Sequence, residues 1–207
     1  MYKIIFFIFF IFNCFFSYGI MTTEDEIIAE KAFIAALDNP DDLSLSKDAE
    51  LKLKSLIKSN SLGNVEHYEI RLISIIALEI EQYQHTRHKL MKANDIADKF
   101  NLFYRNHLKE ENDDFLLYEY QMYSGFIFTR YPSFNGTTKD GIRLLKKALV
   151  YAEKNAEKDE LIRIYYHLAY AYNSLHRKSL AKKYSNKALK LDSSDLTKEK
   201  FSPFLLK

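Results

Sequence analysis

Apolar positions recur along this chain at helical spacing, and no stretch alternates at the period of two that a half-buried strand requires. Thr23-Glu24-Asp25-Glu26 has the spacing of a capping box, with Glu26 three residues after Thr23. It opens a periodic segment through Leu37 that Asn39-Pro40 stops. A second helix is predicted from Lys47 to Lys58, capped by Ser46 and burying Leu51, Leu53, Leu56 and Ile57, with a turn over 59–63. Glu66 to Gln84 reads as a long helix carrying Ile70, Leu72, Ile73, Ile76, Leu78 and Ile80, followed by one from Arg87 to Phe100. Two further pairs follow: Asp114–Phe128 with Lys139–Lys154, and Glu160–Ser174 with Lys178–Leu191. The strongest loop chemistry lies between the members of the first of these pairs, at Tyr131-Pro132-Ser133-Phe134-Asn135-Gly136-Thr137. Asn135-Gly136-Thr137 is also a glycosylation sequon, of consequence only in a eukaryotic source.

The second helices of the three later pairs can be superposed on one another. Leu90 onward, Leu145 onward and Ser185 onward each carry an alanine at the same offset, Ala93, Ala148 and Ala188, at unequal intervals along the chain. Small residues at such offsets suit the close crossing of two helices. The clearest unit is YYHLAYAYNSLHRKSLAKKYSNKALKLDSSD, Tyr165 to Asp195. Tyr165, Leu168, Ala169 and Tyr172 fall at i, i+3, i+4 and i+7 of its first helix, and Ala181, Ala188, Leu189 and Leu191 lie on its second.

This unit resembles the tetratricopeptide repeat over Ile162 to Asp195, through Tyr165, Leu168, Ala169, Tyr172, Ala181 and Ala188. It departs from that pattern at His176, where glycine is common, at Ser185, where an aromatic is expected, and at Ser193, in place of the closing proline. Upstream the resemblance is weaker, with Ser124-Gly125 and Phe128 as the small and aromatic positions and Gly141 and Ala148 as the paired small ones. The resemblance implies an all-α fold of stacked antiparallel helical hairpins, a TPR-like α-solenoid. The expected division of the chain is a signal peptide (1–19), an N-terminal helical hairpin (20–63), TPR-like repeats (64–195) and a C-terminal tail (196–207).

The N-terminus changes the picture of where such a fold works. Lys3 precedes an apolar block from Ile4 to Phe16, and Ser17-Tyr18-Gly19 supplies small residues before an acidic stretch, the build of a secretory signal cleaved after Gly19. The competing reading is an uncleaved membrane anchor over residues 4–21; lipid attachment at Cys14 is disfavoured by Asn13 before it. The expected location is therefore exported, periplasmic or secreted. Cys14 is the single cysteine, so a chain starting at Ile20 relies on core packing instead of disulfides or thiolate-bound metal.

Thirty basic against 28 acidic residues, a formal charge of +2 with no segregated basic run, gives no case for nucleic acid. His85 and His88 could share a helix face, but no carboxylate follows at zinc-site spacing. Glu110-Glu111-Asn112-Asp113-Asp114 clusters acids in the position of a helix start, favoured by the helix dipole. With five glycines and no nucleophile or phosphate-binding motif, neither an enzyme nor a cofactor site is expected.

In the repeat family, surfaces lined by the first helix of each pair bind peptide segments, so the resemblance implies a non-enzymatic scaffold for a protein or peptide partner. With Tyr165, Leu168, Ala169 and Tyr172 facing the partner helix, Arg163, Tyr166, Tyr170 and Asn173 are rotated onto the inner side and form the expected binding set. A sensory or regulatory module of an envelope signalling system is the second expectation, although Phe201 to Lys207 is too short to span a membrane.

Overall fold

The computed structural model describes residues 23–59, 65–109, 113–133 and 135–205. The signal or anchor expected over residues 1–21 and most of the turn expected at 59–63 lie outside these. Among the described residues there are nine α-helices and no strand: α1 (Glu24–Asp38), α2 (Leu43–Ser59), α3 (Val65–Leu78), α4 (Thr86–Phe103), α5 (Asp114–Arg130), α6 (Thr138–Asn155), α7 (Lys158–Ser174), α8 (Lys178–Leu191) and α9 (Asp195–Leu205). A 3₁₀ turn (Glu79–Gln82) extends α3 and a π turn (Tyr104–Leu108) extends α4. No helix among the described residues is long and apolar enough to cross a membrane.

Consecutive helices pack as neighbours: α1 on α2, α3 on α4, α5 on α6, α7 on α8. A second set of contacts joins α2 to α3, α3 to α5 and α5 to α7. The tightest crossing is that of α5 and α6. A Cβ added at Gly141 would lie 2.7 Å from Thr129 Cγ2 and 2.8 Å from the Gly125 carbonyl oxygen, and one added at Gly125 would lie 2.9 Å from Leu145 Cγ. Backbone meets backbone here, which only the missing side chains permit.

In the α7–α8 hairpin, Tyr165, Leu168, Ala169 and Tyr172 are buried, as are Ala181 and Ala188. Tyr184 of α8 stacks on Tyr172, with ring centroids 5.6 Å apart. The turn between the two helices passes through His176 at φ 57°, the one non-glycine residue with positive φ among those described. Arg177 N–H donates to the Tyr172 carbonyl (2.8 Å) and His176 N–H to that of Asn173 (2.9 Å), the paired bonds of a Schellman cap. His176 therefore takes the left-handed conformation for which glycine is the usual residue.

Several boundaries depart from the sequence reading: the α-helix expected to reach Gln84 gives way to the 3₁₀ turn after Leu78, and α4 runs past the expected Phe100 to Phe103. α2 begins at Leu43, before the expected cap. Asp42 does the capping, its carboxylate accepting from Ser44 N–H (2.9 Å), and Ser46 lies inside the helix, 3% exposed. Most of the tail expected at 196–207 belongs to α9, which starts at Asp195 and buries Phe201 and Phe204. Pro203 sits within this helix and cannot bond to the Glu199 carbonyl; the Ser202 hydroxyl donates to that oxygen instead (2.8 Å).

Candidate protein-binding face

α1 packs on α2 and, through its long side chains, reaches a row of residues on α3, α5 and α7. On α5 the row is Glu119, Tyr123, Phe126 and Arg130, successive turns of one stripe. α3 contributes His67, Tyr68 and Arg71, and α7 contributes Arg163 and His167. α1 answers with Glu26, Glu30, Phe33, Leu37 and Asp38, its own stripe at i, i+4, i+7, i+11 and i+12.

The pairing is polar at both ends and apolar between. Glu26 accepts from the Tyr68 hydroxyl, and Glu30 accepts from Arg71 Nη1. Phe33 meets the Tyr123 ring edge-on, with centroids 5.2 Å apart, and lies under the Arg71 guanidinium at 5.6 Å. Leu37 covers a cavity of about 10 Å³ among Met122, Tyr123, Phe126, Leu145, Arg163, Ile164 and His167. Arg163 donates from Nε and Nη2 to Asp38 (3.2 Å each), and beyond the helix Arg130 Nη2 donates to Asp41 (2.8 Å).

Beneath α1 the arginines are held in place by other groups. The Glu119 side chain, 2% exposed, accepts from Arg71 Nε (2.9 Å) and Nη2 (2.6 Å) and pairs with His67 Nδ1. Burial alone would push the Glu119 carboxyl upward, but the guanidinium and the His67 hydrogen bond outweigh it and hold the group below its ordinary value. Arg71 shows the reciprocal effect: burial opposes its charge, and Glu119 and Glu30 more than restore it. Arg130 is fixed by donating from Nε to the Tyr131 hydroxyl (2.8 Å) and by Glu81 at 3.6 Å.

Toward α9 the sign of the field changes. His167 packs against Phe126 with centroids 4.1 Å apart, and burial, then Lys200, Arg163 and Arg130, hold its pKa well below the ordinary value. Glu160, one turn before Arg163, is raised by burial although Arg163 and the Tyr118 hydroxyl oppose the shift. The cavity under Leu37, lined by Arg163 and His167, is of the size of a single water.

Of the four residues expected to bind a partner, Arg163 is engaged by Asp38 of α1. The Tyr166 ring stands edge-on to Phe201 (5.7 Å) and inclined to Phe204 (5.6 Å), with Lys200 Nζ 4.9 Å above it, so α9 covers it. Tyr170 is half-buried against the core and Asn173 is exposed. Asp113 of the acidic run caps α5, accepting from Phe115 and Leu116 N–H at 2.9 Å each. His85 and His88 meet edge to face at 5.6 Å, and no group of three or more His, Cys, Asp or Glu among the described residues could hold a metal ion.

Glu119 was not among the residues singled out by sequence, yet it carries a readable signal: between Phe115 and Thr129 it is the lone charge in a run that is apolar nearly all round. Such a charge must be buried and must have a partner. Comparison with family models, with curated proteins and with solved structures gives no match for this chain.

Proposed function

We propose that this chain is an exported, non-enzymatic scaffold of TPR-like hairpins, α3–α4, α5–α6 and α7–α8, which binds a protein or peptide on the face shared by α3, α5 and α7. The observation that carries the reading is the row Arg71, Tyr123, Arg130, Arg163 on that face, in which Glu119 orients Arg71 and Tyr131 orients Arg130, while α1 contacts Arg71, Tyr123 and Arg163. Arginine and tyrosine set in desolvated, pre-oriented positions are the composition of interface hot spots. The glycine contact of α5 with α6 and the left-handed His176 supply the close crossing and tight turn that such hairpins need. The Ile4–Phe16 block ahead of Ser17 and Gly19 supports export.

The test is capture of a partner from the envelope fraction of the source cell by wild type and by the Tyr166→Ala, Tyr170→Ala double variant. Capture lost at unchanged Tm supports the assignment of these tyrosines to the binding surface. A steep fall in Tm assigns them to the core under α9, and failure of the wild type to retain any partner removes the scaffold reading.

A further inference from the structure

We infer that α1 is a ligand of the α3–α5–α7 face held in cis, and that the partner this face takes is an acidic amphipathic helix carrying α1's own pattern. Counted from Glu26, that pattern is a carboxylate, a second carboxylate four residues on, an aromatic at seven, an aliphatic at eleven and a carboxylate at twelve, with small residues at three and ten. The inference rests on the binding reading above and specifies its occupant.

Three observations bear on it. The contact has the form of one helix stripe laid on a face, Phe33 against Tyr123 and Leu37 among Phe126, Ile164 and His167, while another side of α1 packs on α2. Its polar ends are complementary in charge: Glu30, Asp38 and Asp41 meet Arg71, Arg163 and Arg130, which come from three different helices. Two of the three receiving arginines stay satisfied when α1 is lifted, and Arg163 alone gives up its carboxylate, Asp38. Arg71 and His67 keep Glu119, and Arg130 keeps Tyr131 and Glu81. Withdrawal therefore strands no buried charge at Arg71, the penalty that makes most internal ion pairs inseparable. Glu119 leaves Arg71 Nη1 free to face outward, which is the arrangement of a pre-formed carboxylate receptor.

The probe is a fluorescein-labelled peptide of residues 23–42, titrated into the full chain and into the full chain carrying Glu30→Gln with Asp38→Asn. These substitutions loosen α1 in cis and leave the face intact. The peptide is expected to bind the double variant at least tenfold more tightly than wild type, because the competing helix is weakened. Adding Arg163→Glu should reduce that binding at least tenfold, and a peptide with Asp38→Arg should recover it. Hydrogen exchange on wild type supplies a second reading that no variant can disturb: α1 amides should exchange faster than those of α5, by opening on their own.

Equal binding of a scrambled peptide, no binding to the cis-loosened chain at wild-type helicity, or α1 exchange as slow as that of α5 each overturns the inference. If the peptide fails while partner capture still depends on Tyr166 and Tyr170, only the occupant is wrong; if both fail, the face is not a binding surface.

Discussion

α5 makes two contacts on neighbouring faces, and they are built on different principles. Against α6 it presents Gly125 and Thr129 to Gly141, with backbone atoms of the two helices touching through the space two side chains have vacated. Toward α1 it presents Tyr123 to the Phe33 ring and, toward the turn that follows α1, Arg130 to Asp41, so contact is made through long side chains, a hydrogen bond and ring edges. The first contact tolerates one shape and no substitute. The second specifies a pattern of charge and ring, which any helix bearing that pattern can satisfy. A packed crossing thus fixes the fold, whereas a patterned seat leaves its occupant open to competition.

The sharpest way to break this comparison is to remove the group that organises the seat from below. Glu119→Ala leaves Arg71 and His67 buried without their carboxylate and should lower stability by about 3–5 kcal/mol, measured by urea unfolding. A loss under ~1 kcal/mol would mean that Arg71 is held by Glu30 instead, and that α1 belongs to the core. Next, Gly141→Ala forces its methyl against Thr129 and the Gly125 carbonyl and should cost about 1–3 kcal/mol, with helicity retained. A neutral result would show that the crossing can slide, and the contrast between the two faces of α5 would collapse.

The pH dependence sharpens the same contrast on the α7 side. The unfolded chain protonates His167 near pH 6.5, while in the fold burial beside Lys200, Arg163 and Arg130 keeps it neutral far below that. The unfolded state therefore binds the extra proton as pH falls through 6.5, and stability is lost progressively below it, by at most ~1.4 kcal/mol per pH unit for this group. His167→Phe should flatten that slope between pH 5 and 6.5 in thermal melts, and an unchanged slope would place the acid sensitivity elsewhere. The smallest effect is a gain. The buried hydroxyl of Ser46 finds no hydrogen-bond partner among the described residues, so Ser46→Ala should stabilise by ~1 kcal/mol. A loss there would reveal a polar contact that α2 makes with its surroundings.

What the sequence discloses and what it hides divide along the same line. Local physics was legible: the capping box at Thr23 and Glu26, the small positions Gly125 and Gly141, and the glycine-like turn at His176 all rest on neighbours in the chain. The face of α7 was legible too, since Tyr165, Leu168, Ala169 and Tyr172 are buried together, whereas on α2 Leu51, expected on the buried side, is 70% exposed and Ala49 takes part in the core instead. Ser46 misled because a serine before a periodic run can cap a helix or ride inside it, and Asp42 upstream competes for the role. α9 was hidden by Pro203 and by the polar residues ahead of it, whose cost the Ser202 hydroxyl offsets. The seat of α1 was out of reach for a different reason. Helical periodicity says which face of α1 is buried but not against which partners, and its contacts with Tyr123 and Arg163 lie far along the chain.

That distance has a consequence for how the molecule is made. Asp38 and Arg163 are 125 residues apart, so α1 leaves the ribosome long before the helix that receives its far end exists. At roughly 5–20 residues per second, the interval is on the order of ten seconds. The first of the described helices can pack on α2 early but completes its contacts only when α7 has appeared, and through much of that interval Phe33 and Leu37 lack Tyr123, Phe126 and Ile164.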